Sequence, residues 1–296
     1  MSFNDHNCDA LIYILDCGID ESKKQKIEKL CSGRNAVFFI DAKKTLDGLD
    51  YDLNIDRGSI AAYARLFIGS MIPNGIDKVI YLDSDTLVRG SLLDLYNYEL
   101  DSFTIGGVRD SFSVLNKKVF GVKRGELFVN SGVLLVDLSK WREEEIEKKI
   151  YQILTEKQEV FQGDQGIINI VFHGKVKELP LVYDVMSYLY DFTYEEMRAY
   201  RKPDNYFDKQ TVIKASDNPI IVHFSSSFRS YRPWEKESNH PFGKEWDMYY
   251  KMLEGEYMGA KKNKRKYIVF PIWLIGIVHA YIRPALFLFK EVRNEN

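Results

Sequence analysis

Two aspartates one residue apart, Asp83 and Asp85, directly follow a short apolar run and are the first candidates for chemistry. The run, residues 79–82, is unbroken and β-favouring, which predicts a buried strand of an α/β sheet. Ligands of such sheets bind just past the carboxyl ends of strands, and residues i and i+2 project to the same side. Two carboxylates this close suit a hard cation, Mn²⁺ or Mg²⁺. The alternative is that Asp-Ser-Asp-Thr simply begins a turn.

Three other polar side chains stand beside apolar segments. Arg65 is the only charge inside a predicted helix, residues 59–71, and is either solvated or a guanidinium that reaches a polar site. Asp164 either caps the apolar segment that follows it or faces a site. His223 ends the predicted strand 219–224 and is either a core residue or a ligand. The residues alone leave each pair of alternatives open.

The elements that would position these side chains alternate between strand and helix. Apolar runs predict strands at residues 10–15, 36–40, 103–108 and 130–138, and a helix at residues 20–30. Because strand, helix and strand follow one another, we expect a parallel sheet with crossover helices.

Composition limits the class of protein. The chain has 296 residues, 45% hydrophobic and 28% charged, which is typical of a globular protein of one large or two smaller α/β domains. A formal net charge of −2 argues against a nucleic-acid partner. The cysteines, Cys8, Cys17 and Cys31, have no metal-binding or redox spacing, and the N-terminal residues have no signal pattern. Both features predict a cytoplasmic protein.

The end of the chain differs in composition. Residues 261–266 are KKNKRK, and residues 267–289 are apolar and about long enough to span a bilayer. Because a histidine, an arginine and two prolines interrupt this run, the pattern favours a segment that lies on an anionic membrane surface through residues 261–289. Packing onto the preceding domain and a true anchor are the alternatives. We expect a globular domain, residues 1–255, and a tail, residues 256–296.

Five segments together resemble glycosyltransferase family 8, the retaining nucleotide-sugar transferases that include bacterial lipopolysaccharide galactosyl- and glucosyltransferases. In chain order they are SIAAYARLF, DKVIYLDSDTLVRGSLLDLY, FVNSGVLLVDLSKWR, GDQGIIN and IVHFSSSFRSYRPW. The resemblance implies a GT-A fold, which is Rossmann-like with a mixed, mainly parallel sheet and flanking helices. It also implies a UDP-hexose donor, Mn²⁺, and an oligosaccharide or glycolipid acceptor of lipopolysaccharide or capsule type, at the inner face of the plasma membrane.

The same resemblance assigns roles to individual residues. The metal ligands would be Asp83, Asp85 and His223. The donor would contact Arg65, Asp83, Ser84, Asn130, Ser131, Asp164 and Arg232. Asp164 and Gln165 would be catalytic. Gln165 corresponds to the residue under the anomeric carbon, and because a neutral amide is a poor nucleophile we favour front-face substitution over a covalent intermediate.

The chain departs from the family pattern in two places. The loop after His223 has Ser225, Ser226 and Ser227 where the family has a glycine, and then reads RPW. The opening strand and loop that hold the uracil base in the family have no counterpart ahead of residues 10–15. The resemblance therefore predicts a GT-A fold without its first strand, and leaves the base-binding residues unassigned.

Two rival functions follow from the same residues. An apolar strand before Asp-Ser-Asp-Thr is also similar to the nucleophile motif of haloacid-dehalogenase-type phosphatases, but the later acidic pair of those enzymes is missing, since the chain has no Asp-Asp sequence. Because the opening strand is absent, a second alternative stays open. The chain would then be a degenerate transferase that survives as a membrane-associated sugar-nucleotide-binding protein.

Overall fold

The computed structural model describes residues 1–49, 60–157, 160–225, 232–235, 238–254 and 271–294. The strands within them are β1 (Leu11–Asp16), β2 (Ala36–Asp41), β3 (Lys78–Leu82), β4 (Thr86–Val88), β5 (Ile105–Arg109), β6 (Val129–Asp137), β7 (Val176–Leu179), β8 (Val185–Met186) and β9 (Ile221–His223).

The helices lie between and around these strands. The α-helices are α1 (Ser2–His6), α2 (Glu21–Cys31), α3 (Ala42–Asp47), α4 (Ile68–Met71), α5 (Leu93–Tyr96), α6 (Val114–Val119), α7 (Leu138–Glu143), α8 (Ile146–Glu156), α9 (Gly163–Val171), α10 (Tyr188–Asp191), α11 (Tyr194–Arg201), α12 (Lys209–Asp217), α13 (Gly243–Glu254), α14 (Ile272–Ile277) and α15 (Arg283–Asn294). Ile60–Phe67 and Leu181–Tyr183 are 3₁₀ helices, and the π-helix Val278–Ile282 joins α14 to α15.

The described strands form three sheets. β1 and β2 pair in parallel through the crossover helix α2, as predicted. The second sheet has the order β3-β6-β5-β7, in which β6 is antiparallel to both neighbours and β7 is parallel to β5. β3, β5 and β7 therefore run in one direction and β6 runs in the other, which makes this sheet mixed. The third sheet, β4-β9-β8, places the end of β9 beside the loop after β3.

Burial differs sharply between strands that were predicted alike. β6 lies between two neighbours and is buried at every position from Val129 to Val136. The prediction that β3 is a buried strand is wrong, because all five of its residues are half-buried. β1 is only partly buried as well, and its Leu11 is 54% exposed. The physical reason is that, among the described residues, each of these two strands pairs on one side only.

The predicted helix at residues 59–71 also differs from the structure. Residues 60–67 form a 3₁₀ helix and only residues 68–71 continue as α4. The apolar face that the helical spacing predicts is nevertheless confirmed, because Tyr63, Phe67 and Ile68 are all buried in the main core. Arg65 is buried with them, at 5% exposure.

The described part of the tail packs onto the domain by one side. Gly276 of α14 lies so close to α11 that a Cβ atom there would be 2.3 Å from the carbonyl oxygen of Ala199. The hydroxyl of Ser113 donates a hydrogen bond to the carbonyl of Ala280, at 2.8 Å. The predicted basic cluster, residues 261–266, and the predicted boundary at residues 255 and 256 lie outside the described residues.

A buried histidine makes the stability of the fold depend on pH. His240 is 5% exposed, and its Nδ1 accepts a hydrogen bond from the N–H of Phe242. Burial lowers the pKa of His240 from 6.5 to about 4. Between these values the unfolded chain binds a proton that the folded chain does not, so stability falls as the pH falls below 6.5. Unfolding free energy should decrease by about 2 kcal/mol from pH 7.5 to pH 5 through this group alone.

Urea denaturation at the two pH values measures this effect. Between pH 7.5 and pH 5, the unfolding free energy of the variant His240→Gln should fall by about 2 kcal/mol less than that of the wild type. His6→Gln, which changes an exposed ring, serves as the control and should behave as the wild type does. An equal loss in His240→Gln and wild type would contradict the assignment.

Candidate functional site

The predicted pair of aspartates lies where β3 ends. The N–H of Asp83 donates to the carbonyl of Gly132 on β6 at 2.8 Å, which continues the β3–β6 pairing by one residue. The backbone of Asp85 is bonded to the residue that follows β9. Its carbonyl accepts a hydrogen bond from the N–H of Phe224 at 2.8 Å. The pair therefore bridges two sheets, and is not only the start of a surface turn.

His223 faces this pair. Its Nε2 lies 3.3 Å from Oδ1 of Asp85 and 3.9 Å from Oδ2 of Asp83. One ligand atom from each of the three side chains can be chosen so that all lie within 4.8 Å of one another. Two carboxylates and an imidazole at this spacing form a candidate site for a divalent cation.

A fourth residue, Asp184, orients the histidine from behind. Its Oδ1 lies 2.9 Å from Nδ1 of His223, and its side chain is fully buried. This contact fixes the ring so that Nε2 points at the aspartates, as a carboxylate behind a metal-binding histidine does. Burial acts against the charged ring, but the carboxylates of Asp184 and Asp85 outweigh it and raise the pKa of His223 well above its usual value.

The pKa of Asp85 also indicates that the cluster favours positive charge. Burial acts to raise the pKa of Asp85, but the His223 ring and the more distant Arg232 guanidinium hold it at about 2. Asp85 is therefore ionised at neutral pH. The chemistry of the three ligands fits a divalent metal, whose charge would take the place of the proton on His223.

Gly132 makes room for the histidine. A Cβ atom at this position would lie 2.3 Å from Cε1 of His223, which real contacts do not allow. We predict that Gly132→Ala displaces the His223 ring and weakens Mn²⁺ binding about 10- to 100-fold. Substitutions of residues that orient a metal ligand change metal affinity by about this factor. Isothermal titration with Mn²⁺ measures this, and Gly75→Ala, which meets nothing within 4 Å, is the control. Unchanged affinity in Gly132→Ala would contradict the geometry.

Arg65 connects the cation cluster to the start of α9. Its Nη2 lies 2.7 Å from Oδ1 of Asp83, and its Nε lies 3.0 Å from Oδ2 of Asp164. Its Nη1 also donates to the carbonyl of Ser131 at 2.6 Å, and the guanidinium stacks over the ring of Tyr81. Of the two alternatives for Arg65, the solvated side chain is wrong, because the residue is buried and has partners on all sides.

Asp164 is not the N-cap of α9. Gln162 occupies that position, and Asp164 lies in the first turn with its carboxylate turned into the site. Besides Arg65, this carboxylate accepts a hydrogen bond from Oγ of Ser131 at 3.2 Å. The capping alternative is therefore wrong, and the helix start instead delivers a carboxylate to the cavity.

Gln165, the next residue, is held by side chains on both sides. The amide of Asn130 donates to its Oε1 at 3.0 Å, and its own Nε2 donates to Oδ2 of Asp110 at 3.3 Å. Asp110 also lies 3.5 Å from Nη2 of Arg201 on α11. This chain of contacts fixes which face of the amide points into the cavity.

The remaining predicted donor-binding residues, Ser84 and Arg232, line the same cavity. Ser84 is exposed between the two aspartates and lines the same cavity. Arg232 is half-buried, lines that cavity too, and stacks its guanidinium over Trp234 at 5.3 Å. Ser225 is described and lines the cavity, whereas the rest of the predicted serine-rich loop, residues 226–231, lies outside the described residues.

One cavity of about 1810 Å³ contains all of these side chains. Its wall includes residues that the sequence patterns did not single out: Asp110, and Tyr188 and Arg201 beyond Gln165. Asp184, which the patterns also did not single out, lies behind the histidine. The site can therefore hold a cation at the Asp83, Asp85 and His223 cluster, an anionic group against Arg232, and a polar ligand against the side chains around Gln165. The roles of the individual residues stay predictions.

Comparison with known proteins shows the family to which this chain belongs. A family model described as Glycosyl transferase family 8 matches residues 3–238. Glycosyltransferase GlyB of Streptococcus pneumoniae serotype 4 is 30% identical over 213 residues, which is 72% of this chain and 47% of that protein. Lipopolysaccharide 1,2-glucosyltransferase of Escherichia coli K12 is 27% identical over 202 residues, 66% of this chain and 54% of the other.

A solved structure matches as well. The galactosyltransferase LgtC, in complex with donor and acceptor sugar analogues, superposes with a TM-score of 0.63 at 28% identity, over 81% of this chain and 83% of that one. The predicted GT-A fold is confirmed by this likeness. The chain spans about half the length of the two curated relatives above, so their substrates and partners carry over only as proposals.

Proposed function

Since this chain belongs to glycosyltransferase family 8, we propose that it is a retaining hexosyltransferase that moves galactose or glucose from a UDP-sugar to a cell-surface glycan with the help of Mn²⁺. One observation carries the proposal: the cluster Asp83, Asp85 and His223 shares a cavity with Arg65 and Gln165. A cation site, a buried arginine that fixes two carboxylates of the cavity and a fixed amide are parts from which transfer from a sugar diphosphate can be built.

Asp83, Asp85 and His223 would hold the cation, with Asp184 keeping the imidazole in place. When bound, the cation supplies positive charge beside the departing diphosphate, so that no acid is needed to protonate the leaving group. Mn²⁺ is preferred to Mg²⁺ because an imidazole is among the ligands, and a purely oxygen-lined site would suit Mg²⁺ better.

The residues around Arg65 and Asp164 would orient the donor sugar. Arg65 keeps the carboxylates of Asp83 and Asp164 in fixed positions from inside the core, so both can accept hydrogen bonds without rearranging. Asn130 and Asp110 hold the Gln165 amide in one orientation. An amide so held would present a neutral dipole to the reacting carbon, which supports front-face substitution over a covalent glycosyl-enzyme.

The acceptor would bind in the same cavity beyond Gln165. Tyr188 and Arg201 line this part of the cavity, and the Arg201 guanidinium lies over the ring of Tyr188 at 4.7 Å. The printed names of the glucosyltransferase and galactosyltransferase relatives support a hexose donor and a glycan acceptor.

The phosphatase alternative is no longer needed. Family membership accounts for the aspartate pair. The carboxylate of Asp85 contacts His223 and is therefore not available to act as an acid. A degenerate transferase that only binds its ligands remains the rival, and activity distinguishes the two.

The exposed apolar side chains of the tail support membrane association. Residues 272–290 form a helix long and apolar enough to cross a membrane, with a mean hydropathy of 1.7. Its unpacked side exposes apolar side chains, which include Trp273 (55%), Tyr281 (45%), Leu286 (64%) and Phe289 (65%). Because the inner side packs on α11 and α6, we propose that the helix lies on the anionic membrane surface and does not cross it.

Polar replacements on that outer side test the membrane proposal. The double variant Leu286→Gln and Phe289→Gln should bind vesicles of anionic lipid at least about 10-fold more weakly, since two large apolar side chains are lost from the interface. Leu93→Gln, a change at a residue 62% exposed on α5, is the control. Sedimentation with vesicles measures the bound fraction, and equal binding by all three proteins would contradict the proposal.

An assay of UDP release tests the proposed function directly. The wild-type chain should release UDP from UDP-galactose or UDP-glucose when Mn²⁺ is present and not when it is removed by chelation. Release faster than the uncatalysed rate, with either hexose, supports the transferase. No release from any UDP-hexose, by a chain that still binds UDP with Mn²⁺, would instead favour the degenerate alternative.

A further inference from the structure

The tail contributes side chains to the wall of the cavity that contains the cation cluster. His279 of the π-helix and Arg283 of α15 line this cavity, as does Arg201 of α11. His279 and Arg283 are four residues apart, which places them within about one turn on the same side of the helix. The side of the tail that packs on the domain therefore also carries polar groups to the cavity.

Two guanidinium groups lie near the ring of His279. Nη1 of Arg201 donates a hydrogen bond to Nε2 of His279 at 3.3 Å. Burial, and then the positive charges of Arg201 and Arg283, lower the pKa of His279 to about 3. The ring is therefore neutral at pH 7, and the positive charge in this part of the cavity belongs to the two arginines.

Only part of that charge is neutralised within the part of the chain that the structure describes. There, Arg201 has one ion pair, with Oδ1 of Asp110 at 3.5 Å, and its buried Nε has no hydrogen-bond partner. Arg283 is exposed and makes no hydrogen bond or ion pair with a described side chain. Two positive charges thus face one carboxylate, and an anionic ligand would balance the second charge.

The two arginines are separated from the cation cluster. Contacts run from that cluster through Arg65 to Asp164, and from the next residue, Gln165, through Asp110 to Arg201. Gln165 therefore lies between the two positive centres along this chain of contacts. Because a cation at the cluster would meet the charge of the donor diphosphate, the arginines are left for the molecule that binds beyond Gln165.

Aromatic rings adjoin the arginines. The guanidinium of Arg201 lies 5.5 Å from the centroid of the Phe112 ring, and the rings of Tyr200 and His279 are 4.9 Å apart. Phe112, Phe192 and Tyr200 all line the cavity. Positive charge beside apolar rings suits a phosphate that carries an organic group better than it suits free inorganic phosphate.

The same helix exposes apolar side chains on its outer side. Tyr281 and Leu286 flank Arg283 in the sequence and are exposed. If the helix lies on the membrane as proposed above, Arg283 is at the level of the lipid headgroups and also at the cavity. A phosphate that is anchored in the bilayer by its lipid could then reach Arg283 without leaving the membrane surface.

We propose that Arg201 and Arg283, here called the tail subsite, bind the phosphate of a lipid-linked acceptor while the acceptor's sugar lies beside Gln165. This narrows the acceptor from glycans in general to glycolipids with a phosphate at the membrane surface. The acceptor role rests on the proposed transferase function, whereas the binding of a phosphate at the tail subsite does not.

Binding of hexyl phosphate tests the tail subsite without a sugar nucleotide. The full chain is titrated and followed by phosphorus NMR, with a chelator present so that no cation offers a second phosphate site. Hexyl phosphate should bind at least about 10-fold more tightly than inorganic phosphate, because its alkyl chain adds contact with the apolar rings. Arg283→Gln should weaken the binding of hexyl phosphate at least about 10-fold, since a charge-assisted hydrogen bond is lost.

A matched control comes from the neighbouring helix. Arg198 is an exposed arginine of α11 that does not line the cavity, so Arg198→Gln should bind hexyl phosphate as the wild type does. Because Arg283 is exposed, Arg283→Gln should keep the wild-type melting temperature. A weaker affinity in this variant would then report a lost contact and not a lost fold.

Three outcomes would overturn the proposal. Equal binding of hexyl phosphate by Arg283→Gln and the wild type would show that Arg283 does not contact the phosphate. A loss in Arg232→Gln but not in Arg283→Gln would place the phosphate at the donor end of the cavity. Equal affinities for hexyl phosphate and inorganic phosphate would exclude a lipid-linked ligand.

Failure of the proposed function gives a different result. A chain that binds hexyl phosphate through Arg283 but releases no UDP from any UDP-hexose would support the tail subsite and contradict the transferase. A chain that releases UDP but binds hexyl phosphate equally well with and without Arg283 would contradict the tail subsite alone.

Discussion

Replacing Asp85 with asparagine is expected to lower Mn²⁺-dependent release of UDP from a UDP-hexose by at least about 1000-fold. Asparagine keeps the shape of the side chain and removes its charge. The cation that we propose at this cluster would then lose one of its two carboxylate ligands. A 1000-fold loss of activity corresponds to about 4 kcal/mol of transition-state stabilisation. Asp83→Asn should have an effect of the same order.

The folded structure should survive this change. Asp85 is held through its backbone carbonyl, which the substitution leaves in place, and the contact between His223 and Asp184 does not involve it. Circular dichroism should show the wild-type spectrum. Asp94→Asn, which alters an exposed carboxylate on α5, is the control and should retain full activity. An Asp85→Asn enzyme within about 10-fold of the wild type would exclude this carboxylate as a metal ligand.

Replacing Arg65 with methionine is expected to damage both stability and activity. The guanidinium is buried between Asp83 and Asp164, and its removal leaves two carboxylates without their cation. Breaking a buried ion pair in this way costs about 3–5 kcal/mol of unfolding free energy. Activity per folded molecule should fall by at least about 100-fold, because the two carboxylates lose their fixed positions.

A lysine at the same position separates the two effects. Arg65→Lys keeps the positive charge but cannot contact Asp83, Asp164 and Ser131 at once. It should therefore lose activity while it keeps most of its stability. Arg142→Lys is the matched control, because Arg142 donates to carbonyls of residues 69, 72, 73 and 76 outside the cavity. If Arg65→Lys were fully active, or Arg142→Lys equally inactive, the role given to Arg65 would be wrong.

The sequence identified the parts of the site that carry local signals. Asp83 and Asp85 follow an apolar run, and Arg65 is the lone charge in an apolar helix, so each contrasts with its neighbours. The resemblance to family 8 supplied the order that connects them to Gln165 and His223. Their proximity in the structure follows because the ends of β3 and β9 and the starts of β6 and α9 meet at one cavity.

Other parts of the site depend on contacts that no local pattern reveals. Asp184 and His223 are 39 residues apart, and Asp110 and Gln165 are 55 apart. The half-burial of β1 and β3 was also not predictable from their composition. Their apolar runs resemble that of β6, and only the pairing of the strands shows that β1 and β3 each lack a neighbour among the described residues.

The binding of UDP in the presence and absence of Mn²⁺ tests the central claim most directly, because it requires both the cation cluster and the cavity. We expect UDP with Mn²⁺ to raise the melting temperature of the wild-type chain by several degrees, as ligand at about 100 times its Kd does. Neither UDP alone nor UDP with Mn²⁺ added to Asp85→Asn should do so. A wild-type melting temperature that UDP and Mn²⁺ together leave unchanged would contradict the account.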